Sequence, residues 1–306
     1  MFKTLEELVE IHAPSGNEVG ITKFILNYVE RYKSTWTTIP KVHFGGNLQD
    51  SVVLIFGEPR TAIFAHMDSI GYTVRYGNEL LKIGNPRNID GAQLVGKDSK
   101  GDIQCTFRFD EEDDKKIWYE YEREIDRGTE LTFKPNFRED VDYLQSPYLD
   151  NRLGVFCALK VAEQIIDGAI CFTCYEEHGG GNAEFVGRVL YEKFHIKQAL
   201  IADITWVTDG VKHGEGVAIS MRDSGIPRRS YLNKIIDIAK RKNIHFQIEV
   251  EGIGGSDGNS LQKSPYPWDW CFVGAPSDFV HTPDERVHKK DFADMINLHA
   301  TLMREL

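Results

Sequence analysis

Ala169-Ile-Cys-Phe-Thr-Cys-Tyr-Glu-Glu177 is an apolar run that ends on two adjacent carboxylates. A short apolar run closed by turn residues is the pattern of a strand buried on both faces of a sheet. The turn follows at once in Gly179-Gly-Gly181, whose glycines permit close approach of backbone or ligand. Working outward, a helix is predicted after Asp150 through about Ile166, a second from about Asn182 to Phe194, and a further strand from Ala199 to Ala202. This alternation predicts an α/β fold: a mostly parallel, mixed sheet flanked by helices on both faces.

The same reading extends to both ends. Residues 17 to 32 place Ile21, Phe24, Ile25, Tyr28 and Val29 on one face of a helix behind Asn17 as a cap. Two core strands follow, Ser51 to Phe56 and Thr61 to Ala65, the second running directly into His66. From Gly71 to Tyr143 the texture changes to short alternating segments, among them Gln104 to Phe109 and Ile117 to Tyr121, broken by Gly, Asn and Asp. This predicts a smaller β-rich insert at 71–143 between two parts of a catalytic domain, 1–70 and 144–306. The charged run Asp110 to Lys116 reads as a solvated hairpin tip. Toward the C-terminus a helix is predicted at Tyr231 to Lys242 and strands at Phe246 to Val250 and Trp270 to Gly274. A closing helix buries Phe292, Met295, Ile296, Leu302 and Met303.

Composition narrows the partners. With 47 acidic against 36 basic residues, the net charge of -11 repels polyanions, so no nucleic-acid partner is expected. No apolar stretch approaches the ~20 residues of a membrane span, and Glu6, Glu7 and Glu10 interrupt the N-terminus where a secretion signal needs apolar residues. Five cysteines fit a reducing cytoplasm better than a disulfide framework, and Cys171 and Cys174 read as core residues. Part of the negative charge is expected to be balanced by bound cations, because clustered buried carboxylates are otherwise costly.

Polar residues collect where an open α/β sheet places its active site, at the carboxyl ends of strands. His66 and Asp68 follow one strand, Glu176 and Glu177 another, and Asp203 a third; Asp150 precedes a helix and His281 lies in a loop. Mixed imidazole and carboxylate donors suit zinc, cobalt or manganese, whereas calcium and magnesium prefer all-oxygen shells. In His66-Met-Asp68 the two polar side chains point the same way, so Asp68 can orient His66. On extended backbone Glu176 and Glu177 point apart, so one can bind metal while the other takes a proton.

Six pieces resemble one family: Ala65-His-Met-Asp-Ser-Ile-Gly71, Leu149-Asp-Asn-Arg-Leu-Gly154, Tyr175-Glu-Glu177, Ala202-Asp203, Gly254-Gly-Ser-Asp257 and Val280-His-Thr-Pro283. In order and approximate spacing they are similar to the tetrahedral, or deblocking and glutamyl, aminopeptidases, which are dinuclear zinc-dependent exopeptidases. The resemblance implies that His66, Asp150 and Asp203 hold one divalent metal and Asp150, Glu177 and His281 the other. Asp150 would bridge the two, Glu176 would be the general base, and Asp68 would orient His66. It also implies peptide substrates and a homo-oligomer. Asp68 and Asp150 stand 82 positions apart, which accommodates the family's insert; the 78 positions between Asp203 and His281 are already filled by a helix and strands. His178 stands where the family has a small apolar residue, with the expectation that it alters the pocket or adds a proton donor. Gly254, Gly255 and Asp257 read either as pocket lining or as a tight turn that needs glycine. Deacylation of N-acyl amino acids by the same metals and base is the alternative reaction, separated by the need for a free α-amine. Glycoside hydrolysis, which needs only two opposed carboxylates, leaves both histidines unexplained. A binding or scaffold role predicts the loss of a ligand or of the base, and none is missing.

Overall fold

The computed structural model describes residues 2–306. Four parallel strands form its centre, in the spatial order Gly168–Thr173, Thr61–His66, Gln198–Trp206 and Asp269–Asp278. Antiparallel strands extend this unit on one side through Val52–Phe56 and Lys41–Phe44. On the other side Arg286–His288, Tyr143–Gln145 and Arg138–Glu139 follow, and a branch of Val217–Ser220 and Phe246–Glu249 completes an 11-stranded mixed sheet.

Why these runs are apolar throughout is visible in where alternate residues go. Successive side chains of a strand leave on opposite faces. Val52, Leu54, Phe56, Ile63, Ala65, Ile170, Phe172, Leu200 and Ala202 enter one core, beneath Leu5, Ile21, Ile25, Leu153, Ile235 and Phe292 of the helices on that face. Val53, Ile55, Ala62, Phe64, Ala169, Cys171, Ala199 and Ile201 enter the other, against Val186, Leu190 and Leu261. Each such Leu, Ile or Phe contributes about 1.5–3 kcal/mol by leaving water. The two helical layers therefore hold the central strands, and with them the strand ends, in a fixed plane.

A second, six-stranded antiparallel sheet lies between Gly71 and Phe133, in the order Leu80–Ile83, Gly71–Val74, Glu130–Phe133, Gln93–Asp98, Gly101–Phe109 and Ile117–Glu120. It has its own core around Tyr72, Leu94, Phe107, Leu131 and Phe133, which Tyr148 joins by donating its hydroxyl to the Phe133 carbonyl at 2.6 Å. Residues 110–116 form the exposed tip between two of its strands.

The helix Val19–Tyr32 has Glu18 and not Asn17 at its cap position, and three further elements depart from expectation. The strand holding Asp203 continues to Trp206, because it stays paired with Asp269–Asp278 up to Trp206↔Ser277. Asp203 therefore lies inside a strand and not after it. Tyr175 has φ 63°, so Glu176 and Glu177 sit on a turn past the strand end at Thr173 and not on extended backbone. Finally, Asp257–Lys263 is a short helix capped by Ser256, in place of a plain turn. All five cysteines are free and buried. Among the described residues no helix is long and apolar enough to cross a membrane.

Candidate metal centre

Three of the four central strands bring their carboxyl ends to one cavity of about 180 Å³, and the loop after the fourth brings His281. Parallel register sets the heights: Thr173 lies opposite His66, and Ile201 opposite Phe64, so Asp203 comes level with His66. Asp150 enters from the beginning of the helix Leu149–Ala162, and its peptide bond to Asn151 is cis.

The seven residues expected from the sequence meet here. His66 Nε2 stands 3.2 Å from Asp150 Oδ1, 3.4 Å from Asp203 Oδ2 and 3.9 Å from Glu176 Oε2. On the far side His281 Nε2 is 3.3 Å from Asp150 Oδ2 and 3.2 Å from Glu177 Oε2. The two oxygens of Asp150 are thus shared between two histidines. Two sets of donor atoms, His66, Asp150, Asp203 and Asp150, Glu177, His281, each lie within 4.8 Å of one another.

Electrostatics describe the same cluster. Burial by itself lowers the pKa of His66, but the charges of Asp203 and Glu176 and the Asp150 contact outweigh it and hold the imidazole well above its ordinary value. His281 is opposed by burial and raised to about 12 by Glu177 and Asp150. Burial pushes Glu177 up to about 7, with the charge of Asp150 adding to it, and burial likewise holds Glu176 well above the carboxylate range. Four acids packed together with two histidines need more positive charge than the imidazoles supply. Divalent cations fit that need: Glu177 Oε1 is buried without a hydrogen-bond partner, and the donors are the mixed imidazole and carboxylate set such ions take.

The surroundings orient these donors. His281 Nδ1 lies 3.1 Å from the Asn85 carbonyl, which can only accept, so Nδ1 carries the proton and Nε2 faces the cluster. Asn85 belongs to the segment with the smaller sheet, and Arg87 returns the contact by donating its N–H to the His281 carbonyl at 2.9 Å. Asp68 Oδ1 is 3.4 Å from His66 Nδ1. Asp68 also does something the sequence did not announce. Its two oxygens accept the backbone N–H groups of Glu176 and Glu177, each at 3.0 Å, and the Ser15 hydroxyl at 2.5 Å, so the carboxylate that stands beside the histidine also fixes the glutamate turn.

Other residues here were missed. Glu285, four positions after His281, accepts the backbone N–H of His281 and of Asp150, each at 2.9 Å. The fully buried Arg152 donates to the carbonyls of Leu8, Met67, Asp68 and Ile11, tying the N-terminal helix Lys3–Val9 and the turn after it to the loop that holds Asp68. Ser256 donates to Asp203 Oδ2 at 2.7 Å. Arg152 and Ser256 both fell within the quoted motifs, but no spacing rule says which backbone a buried side chain will reach. Gly254 satisfies both earlier readings, with φ 81° and a place in the cavity wall, whereas Asp257 is buried beneath it and accepts the Thr173 hydroxyl at 2.5 Å. His178 does not line the cavity. It is exposed, and its Nδ1 accepts the Gly84 N–H at 3.0 Å.

Histidine and carboxylate donors sharing one aspartate, on the carboxyl edge of a helix-flanked mixed sheet, define the class as a metal-dependent hydrolase. Residues 109–298 match the family model of the M42 glutamyl aminopeptidases. A curated protein of Acetivibrio thermocellus that carries the name "Putative aminopeptidase" is 27% identical, over 97% of either chain. An aminopeptidase from the archaeon Desulfurococcus kamchatkensis superposes with TM-score 0.87 at 21% identity, covering 100% of this chain and 94% of its own. The TET1 peptidase of Pyrococcus horikoshii, described as assembling into a tetrahedron or a large octahedral shell, gives TM-score 0.82 at 23% identity, covering 100% and 99%. At such identities these two likenesses are of fold. The chain belongs to the M42 glutamyl aminopeptidase family, and it is a metal-dependent aminopeptidase.

Proposed function

We propose that this chain removes single residues from the free N-termini of peptides, using two divalent cations that share Asp150. The observation that carries the reading is the division of Asp150, with Oδ1 toward His66 and Oδ2 toward His281. His66 and Asp203 complete one set of ligands, Glu177 and His281 the other, and zinc is the favoured ion, with cobalt or manganese as substitutes. Two such cations, when bound, supply Lewis acidity and an activated nucleophile at neutral pH.

The chain's own residues do the rest. Glu176 accepts the proton of the attacking water and returns it to the leaving amine. Burial lifts its carboxyl above the ordinary carboxylate range, which makes it a stronger proton acceptor. Asp68 holds the Glu176 and Glu177 amides, which sets where each carboxylate can reach, and backs His66. The division into a catalytic domain, 1–70 and 144–306, around an insert at 71–143 draws support from the separate core of the smaller sheet as far as Phe133, whereas Arg138–Glu139 and Tyr143 pair within the larger sheet. A homo-oligomer is proposed by analogy with the shells described for the Pyrococcus peptidase, and a cytoplasmic setting agrees with five unpaired cysteines.

The deciding experiment compares a short peptide with its N-acetylated form in the presence of zinc, cobalt or manganese. The free peptide should lose one residue at a time while the acetylated one stays intact. Equal hydrolysis of both would replace this reading by deacylation or internal cleavage.

A further inference from the structure

The ligand cluster occupies only part of its cavity. Asp223, Glu249 and Glu251 line the same space, and among the described residues no Lys or Arg lines it. Backbone pairing sets this wall. Met221 donates to the Glu249 carbonyl at 2.9 Å and Glu251 to the Arg222 carbonyl at 3.0 Å, so pairing continues past both strand ends. Glu249 and Glu251, two positions apart on this extended stretch, share a face.

The charges on this wall differ from those of the ligand cluster. Two divalent cations would bring four positive charges to Asp150, Glu176, Glu177 and Asp203 and none to the three further acids. Arg222 lends its charge to Asp223 but, among the described residues, forms no ion pair with any of the three. Its Nε donates to the Asp223 backbone carbonyl at 3.2 Å, and its side chain lines a separate outer groove. Glu249 is only 3% exposed, and the Thr205 hydroxyl donates to its Oε1. Ser220, 1% exposed, stands on the same carboxyl, and its hydroxyl together with that of Thr205 favours the charged form of Glu249. Burial, and then the charges of Asp223 and Glu251, hold the Glu249 carboxyl above its ordinary value, a repulsion that a cation relieves. The same cavity is also lined by the apolar side chains of Ile204, Trp206, Ile253 and Phe272.

A cavity walled by both apolar side chains and carboxylates fits a side chain with a hydrocarbon stem and a cationic tip. We infer that this cavity selects a basic residue, lysine or arginine, at the N-terminal position of the peptide. Glu249, Glu251 and Asp223 receive the ammonium or guanidinium, and the aromatic and aliphatic wall receives the stem. An acidic N-terminal residue is repelled, in contrast to the preference in the family's description. The inference rests on the aminopeptidase reading and deepens it.

The test measures kcat/KM of the metal-loaded enzyme on the 4-nitroanilides of Lys, Arg, Leu and Glu. The expected result is that Lys or Arg exceeds Leu by about tenfold or more, with Glu the poorest, since a charged contact made in a buried site discriminates at that scale. Glu249→Gln should cut the Lys-to-Leu ratio by about tenfold, as the loss of one charge-assisted contact. Glu251→Gln, at a half-buried position where folding is not at stake, should lower the same ratio by a smaller factor. A wild type that prefers Leu or Glu, or a ratio unmoved in both variants, overturns the assignment while leaving the aminopeptidase reading intact. Failure to cleave any of the four removes that reading and this inference with it.

Discussion

Glu285 accepts the backbone N–H of Asp150 through Oε2 at 2.9 Å, although the two residues lie 135 positions apart. Its other oxygen takes the N–H of His281 at 2.9 Å, so one fully buried carboxylate ties the shared aspartate to one of the two histidines that flank it. Glu285→Ala leaves both amides without an acceptor. Metal affinity should fall by about 10- to 100-fold, the usual cost of losing a group that orients ligands. Zinc titration of the apoprotein checks this, and unchanged affinity would reduce Glu285 to a packing residue.

Asp150 faces both histidines, so its loss should not be local. Asp150→Ala is expected to lower zinc occupancy at both sites together, whereas Asp203→Ala should lower it at one. Elemental analysis of the two variants after dialysis against equal free zinc separates the outcomes. Retention of one full equivalent in Asp150→Ala would show that the carboxylate is not shared.

Glu176 and Glu177 are adjacent, yet Glu177 Oε2 lies 3.2 Å from His281 Nε2 while Glu176 Oε2 is 3.9 Å from His66 Nε2. Glu176→Gln should therefore keep two metals and lose about 10²- to 10⁴-fold in kcat, the range for a general base. Glu177→Gln should lose one metal and regain part of its activity at high zinc. The opposite pattern would exchange the roles, and full activity in both would move the chemistry elsewhere.

His299, on the closing helix Lys289–Glu305, is fully buried with Nδ1 3.0 Å from the Met295 carbonyl, and burial lowers its pKa to about 4 from 6.5. Between those values the unfolded chain binds a proton that the native chain does not, so stability rises with pH across that window and is lost on acidification through it. The full contribution is on the order of 3 kcal/mol. His299→Gln keeps a donor without titrating, so its stability should fall less steeply than that of the wild type between pH 6.5 and about 4. Urea unfolding of both proteins across that range reads the difference, and parallel curves would count against a neutral buried imidazole.

The sequence by itself determined the fold class and most of the site. Runs such as Ala169 to Phe172 and Ala62 to Ala65 are apolar at every position, which only a strand covered on both faces requires, and the helical faces beside them repeat at the matching period. Because parallel strands present their carboxyl ends along one edge, His66, Glu176, Glu177 and Asp203 could be placed near one another before any contact was known. What only the tertiary structure decided is how atoms from distant segments meet. The turn at Tyr175, the sharing of Asp150 between two histidines, the grip of Asp68 on two amides and of Glu285 on two more, and the acidic wall of Asp223, Glu249 and Glu251 all arise from packing between segments far apart in the chain. Local periodicity reports which face of an element is buried. It carries no record of which backbone amide a buried carboxylate will find, because that depends on the relative positions of whole layers, set by the two cores on either side of the sheet.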